Sequence, residues 1–176
     1  MKRFILRHLE ETDALALSVT LNNKKLIQNL REGIPFPYMP THAKAFIADC
    51  RKKGDYNQLV RAISIGGELV GCISIARRDL IYRRAGELGY YLREDCWGQG
   101  ITTDAAKQIC ALAFNRFDIV RIYAEIYVHN TASMRVLEKI GFKHEGTLRQ
   151  SLYRDGEIYD SRLYSLLRGE INPGSK

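Results

Sequence analysis

The sequence predicts an α/β (α+β) fold, in which helices flank a mixed, mostly antiparallel, twisted sheet with one parallel strand pair at its centre. Two observations predict it. Three strand patterns follow each other in the middle of the chain, the first two joined by Gly66-Gly67, so they form an antiparallel meander. The third strand, residues 85–92, reaches the next, residues 120–128, only through a helical segment, and such a crossover makes two strands parallel.

The first thirty residues are predicted to form a strand followed by helical segments. Residues 4–9 are a short strand candidate. Residues 11–13 (Glu-Thr-Asp) offer capping side chains for a helix to about residue 22, with Leu15 and Val19 on one face. A second helical segment covers residues 24–30.

A proline-rich segment separates these helices from the next one. Residues 34–40 hold three of the four prolines and form an extended, apolar loop, which either packs over the edge of the core or lines a substrate mouth. Residues 41–53 form a helix capped by its opening threonine, with Ala45, Phe46 and Cys50 as the buried stripe.

The remaining elements alternate between strands and helices up to residue 170, which we interpret as one domain, with residues 171–176 as a tail. The predicted strands cover residues 58–65, 68–76, 85–92, 120–128, 142–148 and 159–167, and the predicted helices run from 102 or 103 to about 117 and over 132–140.

Composition limits the function classes. A chain of 176 residues with 45% apolar and 27% charged residues suits one globular domain. It has no apolar run of membrane-spanning length and no secretory leader, so a cytoplasmic protein is expected. The net charge of +7 is scattered, which makes nucleic acid an unfavoured partner. Four cysteines without C-x-x-C spacing are expected to be reduced thiols.

A turn with two glycines lies between the predicted strand 85–92 and the helix after it. Gly98 and Gly100 allow the backbone to approach a ligand, and the N-terminus of the following helix attracts phosphate oxygens. The turn contains neither the Gly-Lys-[Ser/Thr] of an ATP-binding loop nor a complete G-x-G-x-x-G. On these residues alone, a tight structural turn and a pyrophosphate site remain equally open.

A second segment extends the pattern of the glycine turn. It comprises residues 130–142 (Asn-Thr-Ala-Ser-Met-Arg-Val-Leu-Glu-Lys-Ile-Gly-Phe) and is taken with residues 97–102 of the turn (Trp-Gly-Gln-Gly-Ile-Thr). Together they resemble the GNAT (Gcn5-related N-acetyltransferase) superfamily, in its ribosomal-protein N-terminal acetyltransferase (RimJ/RimL-like) branch. The family signature is [Gln/Arg]-x-x-Gly-x-[Gly/Ala]. Trp97 stands at its first position, Gly100 at its glycine, and Thr102 departs from the small residue at its end.

The resemblance implies acetyl-CoA as co-substrate and no metal. It also implies that the central parallel strands splay apart, so that the pantetheine arm enters between them and pairs with the first strand. The residues implied in cofactor binding are Tyr90, Tyr91, Leu92, Trp97, Gly98, Gln99, Gly100, Ile101, Thr102, Thr103 and Asn130.

Catalysis requires a base for the attacking amine and an acid for the leaving thiolate. Glu87 is the candidate base, because the family often has an acid at this position, and Asp160 and Glu125 are alternatives. A substrate-positioning carboxylate is an equally open role for Glu87. Many relatives have a tyrosine acid where this chain has Leu137, so Ser133 is the candidate acid, with helix capping as its alternative.

The resemblance implies an N-acetyltransferase that acts on a primary amine by direct attack. The acceptor is expected to be a protein N-terminus, including that of a ribosomal protein, or a small amine such as a polyamine, an amino acid or an antibiotic. A non-catalytic CoA-binding module is the alternative that the missing tyrosine keeps open. A homodimer through the exposed edge of the last strands is also implied.

Overall fold

The computed structural model describes residues 3–171, and the predicted tail lies outside this range except for Ile171. The strands are β1 (Ile5–Arg7), β2 (Gln58–Ile65), β3 (Glu68–Arg77), β4 (Ala85–Leu92), β5 (Arg121–Tyr127), β6 (Lys143–Arg154) and β7 (Glu157–Leu167). The helices are α1 (Ala14–Leu21), α2 (Lys24–Ile27), α3 (Pro40–Lys53), α4 (Ile101–Arg116) and α5 (Thr131–Lys139). Within residues 3–171, the helices fall short of the length and apolarity that a membrane span requires.

The strands form one sheet in the order β1-β2-β3-β4-β5-β7-β6. β5 pairs with β4 in parallel and with β7 antiparallel, and β1 and β6 lie antiparallel to their neighbours. The register of the parallel pair joins Ala85–Glu87 to Arg121–Tyr123. The predicted mixed sheet with a single parallel pair is therefore confirmed for the part of the chain that the structure describes.

Two compact units divide the chain, and their boundaries run through β3, β4 and α4. The first comprises the residues up to Ser74 together with Gly89–Ala105, and the second comprises Ile75–Leu88 and the residues from Ala106 onward.

The core of the first unit is built where α1 packs on α3. The buried side chains include Leu17, Leu21, Ala43 and Ile47. This corrects the predicted stripe of α3, because Ala45 is exposed and Ile47, one turn after Ala43, takes the buried place.

The outer face of α1 and the start of α3 also differ from the sequence-based expectation. Leu15 and Val19 share a face of α1, but that face is exposed, by 67% and 62%. Helix α3 begins at Pro40 with Met39 as its N-cap residue, so Thr41 lies inside the first turn and is not the cap.

In the second unit, α5 packs against one face of β7. The Tyr164 hydroxyl donates to Glu138 at 3.0 Å, and Arg162 Nη1 donates to the Met134 sulfur at 3.2 Å. Tyr164 and Leu137 are almost fully buried in this layer. The opposite face of β5 and β7 carries the polar positions described below, since alternate residues of a strand face opposite sides.

Gly71 on β3 is required by a close backbone approach to the end of β4. A side-chain carbon there would overlap the Tyr91 carbonyl oxygen and lie 3.1 Å from Leu92 Cα. We expect Gly71→Ala to destabilise the fold by about 1–3 kcal/mol, because backbone atoms must move to make room. Urea unfolding of Gly71→Ala measures this loss of stability. Gly146→Ala is the control, because a side-chain carbon at Gly146 on β6 would meet no protein atom within 4 Å. Equal stability of the two variants would contradict the close packing.

Candidate active site

The turn between β4 and α4 needs glycine for conformational reasons. Gly98 has φ +71° and Gly100 has φ +78°, in the left-handed region that other residues adopt only at a cost. A side-chain carbon at Gly98 would meet no protein atom within 4 Å. From the sequence, these glycines were explained by the close approach of a ligand. In the structure, the positive φ of both residues requires glycine whether or not a ligand is bound.

The start of α4 presents donors at this turn. The Asp104 N–H donates to the Gly100 carbonyl at 3.1 Å, so the N–H groups of Ile101, Thr102 and Thr103 precede the helical ladder. The Trp97 N–H donates to Glu94 O at 3.1 Å instead. The set of donors suited to a phosphate therefore narrows to residues after Trp97.

Side chains of this segment tie the turn to the end of β4. The Trp97 indole Nε1 donates to the Leu92 carbonyl at 2.6 Å, so that oxygen already has a donor. The Gln99 amide Nε2 donates to Asp95 O at 2.9 Å. Tyr91 packs against the core of the first unit, and burial raises the pKa of its hydroxyl well above the usual value. Of these side chains, Trp97 reaches solvent most, with 42% exposed.

Two carboxylates next to the turn are paired with cations. Glu94 accepts from Lys25 Nζ at 2.5 Å and Asn23 Nδ2 at 2.6 Å, and these hydrogen bonds hold its pKa below the usual value. Asp95 accepts from Arg93 Nε at 2.7 Å, and Arg93 also donates to Glu68 at 2.6 Å. Because each carboxylate has a cationic partner, the repulsion that a bound phosphate would meet here is reduced.

Glu87, in the second unit, lies on β4 directly opposite Tyr123 of β5. Its carboxylate accepts a long hydrogen bond, 3.4 Å, from the Tyr123 hydroxyl and forms an ion pair with Arg78 at 3.5 Å. The Glu87 side chain is 12% exposed. A cation and a hydroxyl therefore face the carboxylate on this strand.

Asn130 caps helix α5. Its side-chain oxygen accepts from the Ser133 N–H at 3.1 Å, so the backbone of Ser133 takes part in the cap. Leu137, where relatives were expected to have a tyrosine, is fully buried and takes part in packing. Asn130 and Ser133 thus belong to one helix start in the second unit.

The two alternative bases have other partners. Glu125 accepts from the buried Ser161 hydroxyl at 2.6 Å, and Ser161 lies 2.7 Å from the Ser151 hydroxyl. The Asp160 carboxylate accepts from the Gln150 N–H at 2.8 Å, where β6 is irregular and Gln150 has φ +54°. Asp160 thus supports the bulged backbone of β6.

Tyr123 and Arg78 did not emerge as site residues from the sequence. Tyr123 follows the same period-two pattern as Glu125, but its position opposite Glu87 depends on the strand register. Arg78 is one of the basic residues scattered along the sequence, and such residues usually lie on a solvent-exposed surface.

The cysteines are free thiols, and three of the four are buried. Burial raises the pKa of Cys72 and of Cys110 to about 12, and that of Cys50 to about 11, so these thiols stay protonated at neutral pH. Among residues 3–171, no group of three or more His, Cys, Asp or Glu side chains is arranged to hold a metal ion.

Comparisons with known proteins agree with the geometry. A family model described as an acetyltransferase (GNAT) domain matches residues 3–143. YdaF of Bacillus subtilis (strain 168), provisionally named a ribosomal N-acetyltransferase, is 32% identical over 170 residues, which cover 94% of this chain and 91% of YdaF. Mycobacterium smegmatis RimJ, solved with a CoA disulfide, is 26% identical with a TM-score of 0.87, covering 99% of this chain and 86% of RimJ. RimL, a ribosomal-protein α-N-acetyltransferase solved with coenzyme A, is 24% identical with a TM-score of 0.82, covers 95% of each chain, and shows the fold alone.

Proposed function

This chain belongs to the GNAT acetyltransferase family, and from that premise we propose that it transfers the acetyl group of acetyl-CoA to the N-terminal amine of a protein. The observation that carries the proposal is the turn at Gly98 and Gly100. It is followed directly by the N–H groups of α4 that precede the first hydrogen bond within the helix. The provisional name of YdaF supports a protein acceptor, including a ribosomal protein. The net charge of +7 disfavours a polycationic acceptor.

We propose that the pyrophosphate of acetyl-CoA binds at residues 98–103. The N–H groups of Ile101, Thr102 and Thr103 and the partial positive charge of the helix start favour an anion at this point. The Thr102 hydroxyl is a further donor in place of the small residue that the family signature has. We also propose that the pantetheine arm runs along the backbone of Tyr90 and Tyr91, since Leu92 O is occupied by Trp97.

Glu87 is proposed as the general base. The acceptor amine is protonated in water at neutral pH and must lose a proton before its nitrogen forms a bond to the thioester carbonyl carbon. The carbon–sulfur bond then breaks, and the sulfur leaves with the electron pair. In this proposal the proton goes to the Glu87 carboxylate, and Arg78 and Tyr123 hold that carboxylate in place.

Ser133 is proposed to pass a proton to the departing sulfur: its hydroxyl donates to the sulfur and takes up the second proton, which the attacking nitrogen sheds as the amide forms. Asn130 is proposed as a cofactor contact through its amide Nδ2, because its oxygen serves the cap. We expect Ser133→Ala to bind acetyl-CoA normally and to lower kcat by about tenfold, a modest loss because a thiolate is a good leaving group even without a proton donor. Asn130→Ala instead loses the cap and about 1 kcal/mol of stability. Steady-state kinetics and urea unfolding of both variants separate the roles, and full activity of Ser133→Ala would restrict Ser133 to the helix start.

Transfer of radiolabelled acetyl groups tests the proposed acceptor. The wild-type protein is incubated with labelled acetyl-CoA and one of three acceptors: a peptide with a free N-terminus, the same peptide with a formylated N-terminus, or spermidine. We expect label on the free peptide only. Label on spermidine alone would replace the protein acceptor by a small amine. Binding of acetyl-CoA without transfer to any acceptor would indicate a CoA-binding module.

A further inference from the structure

Glu125 lies on the face of the sheet that also carries the proposed base, within the second unit. Tyr123 of β5 is paired directly with Glu87 of β4, and Glu125 follows two residues further along β5. Because alternate residues of a strand face the same side, the Glu125 side chain lies on the Glu87 side of the sheet. Two residues of a strand span about 7 Å. A group bound at Glu125 is therefore within one long side chain of an amine at Glu87.

Glu125 differs from two neighbouring carboxylates in its partners. Glu87 forms an ion pair with Arg78, and Glu145 forms one with Arg121. In the part of the chain that the structure describes, Glu125 has no cationic partner and accepts its hydrogen bond from a neutral hydroxyl. The side chain is partly buried, where a charge without a counterion is unfavourable. The arrangement thus suits a cation that a ligand supplies.

Two hydroxyls hold one oxygen of the Glu125 carboxylate in place. The Ser161 hydroxyl donates to Oε1 at 2.6 Å, and it lies 2.7 Å from the Ser151 hydroxyl. A hydroxyl has one proton, so with the Ser161 proton directed at Glu125, Ser151 donates to Ser161 in preference to the Leu148 carbonyl at 3.2 Å. Among the described residues, Oε2 has no donor. One oxygen of a fixed carboxylate therefore remains for a ligand.

A bulge in β6 brings Ser151 to this position. The register of β6 with β7 shifts between Leu148 and Leu152, so Ser151 lies outside the regular pairing. Gln150, the residue before it, has φ +54°, a conformation that residues other than glycine seldom adopt, and its N–H donates to the Asp160 carboxylate at 2.8 Å. Backbone strain that a side chain maintains in this way is concentrated at functional sites.

Aromatic rings lie on both sides of Glu125 along β5. Tyr123 comes two residues before it and Tyr127 two residues after it, on the same face. The Arg121 guanidinium lies 6.0 Å from the centre of the Tyr123 ring, and Tyr127 meets the ring of Tyr159 edge-on at 5.5 Å. Aromatic rings attract cations and pack against the methylene groups of long basic side chains. The tyrosines and the carboxylate together thus suit an arginine or lysine side chain.

We propose that Glu125 determines acceptor specificity by binding a basic side chain at the first or second position of the acceptor peptide. The inference rests on the proposed function, because it requires the α-amine of a peptide at Glu87. Consecutive Cα atoms are about 3.8 Å apart, so either of the first two side chains starts close to the amine, and an arginine or lysine spans the remaining distance to Oε2. An acidic side chain at the same position would be repelled.

Steady-state kinetics with a matched set of peptides tests the specificity. The peptides have free N-termini and differ only in their first two residues, which are Ala-Ala, Arg-Ala, Ala-Arg or Ala-Glu. Arginine is used because its guanidinium stays protonated and does not compete as an acceptor. We expect kcat/KM to be about tenfold higher for one of the arginine peptides than for Ala-Ala, through a lower KM, and lowest for Ala-Glu. The net charge of +7 acts against cations over long range, so this preference would report the local carboxylate.

Variants of Glu125 assign the preference to this residue. Glu125→Gln should raise the KM of the preferred arginine peptide about tenfold and leave kcat unchanged, and Glu125→Arg should shift the preference to Ala-Glu. Glu145→Gln is the matched control, because Glu145 also accepts from a serine hydroxyl but pairs with Arg121, and it should keep the preference. Circular dichroism checks folding. Ser161→Ala, which removes the donor to Oε1, should weaken the preference and serves if a Glu125 variant does not fold.

The outcomes separate this inference from the proposed function. Equal kcat/KM on all four peptides, or an unchanged preference in Glu125→Gln, would overturn the inference and leave peptide acetylation in place. A loss of kcat on every peptide in Glu125→Gln, with KM unchanged, would give Glu125 a catalytic role and also overturn it. Transfer to none of the peptides would overturn the proposed function, and the inference with it.

Discussion

Glu87→Gln is expected to lower kcat by about 10²-fold or more at neutral pH, the range that a general base contributes. The substitution keeps the shape of the side chain and removes its ability to take a proton. Because the acceptor amine loses its proton to water more readily as the pH rises, the defect should shrink at high pH. Acetyl-CoA affinity should stay unchanged. A pH series of kcat, with binding measured by calorimetry, checks both.

Glu145→Gln provides the matched control for Glu87. Glu145 also pairs with an arginine, Arg121, at 2.5 Å and accepts from a hydroxyl, Ser165, at 2.6 Å. Loss of one such ion pair should therefore leave kcat unchanged. A wild-type pH profile in Glu87→Gln would remove Glu87 from the role of base. A large loss in Glu125→Gln at the same time would transfer that role to Glu125.

Gly100→Val is expected to raise the dissociation constant of coenzyme A by about five- to thirtyfold. Valine avoids the φ of +78° that Gly100 adopts, and holding it there costs about 1–2 kcal/mol, where 1.4 kcal/mol is a factor of ten. The turn should relax, and the N–H groups at the start of α4 should lose their common direction. Isothermal titration with coenzyme A measures the change.

Gly66→Val separates this effect from general strain. Gly66 has φ +58° in the turn between β2 and β3, and a side-chain carbon there would meet no protein atom within 4 Å. Both variants should lose stability, and only Gly100→Val should lose affinity. Equal affinity of the two variants for coenzyme A would contradict the placement of the pyrophosphate at residues 98–103.

Local sequence patterns, which involve only neighbouring residues, predicted much of the fold. The bounds of β2 and β4 match their predicted ranges, because turn residues delimit these strands at both ends. Helix burial was less predictable. Leu15, Val19 and Ala45 were placed by apolar character, and the side of a helix that faces the core depends on the partner it packs against.

The features of the candidate site also fall into those that depend on local sequence and those that depend on distant residues. The positive φ of Gly98 and Gly100 and the cap by Asn130 are local features, although the sequence had explained the two glycines by close ligand approach. The contact of Tyr123 with Glu87 depends on the register of two strands far apart in the sequence. The Trp97 N–H donates to Glu94 O because residues 94–96 form a short helical turn. The glycine pattern does not reveal that turn.

Trp97 makes the proposed cofactor turn observable without a label. It is the one tryptophan of the chain, and its indole bonds to the end of β4 while part of the ring reaches solvent. Intrinsic fluorescence excited in the tryptophan band therefore arises from this turn alone. Quenching by iodide, a small soluble anion, would then measure how far the ring is shielded as coenzyme A is added.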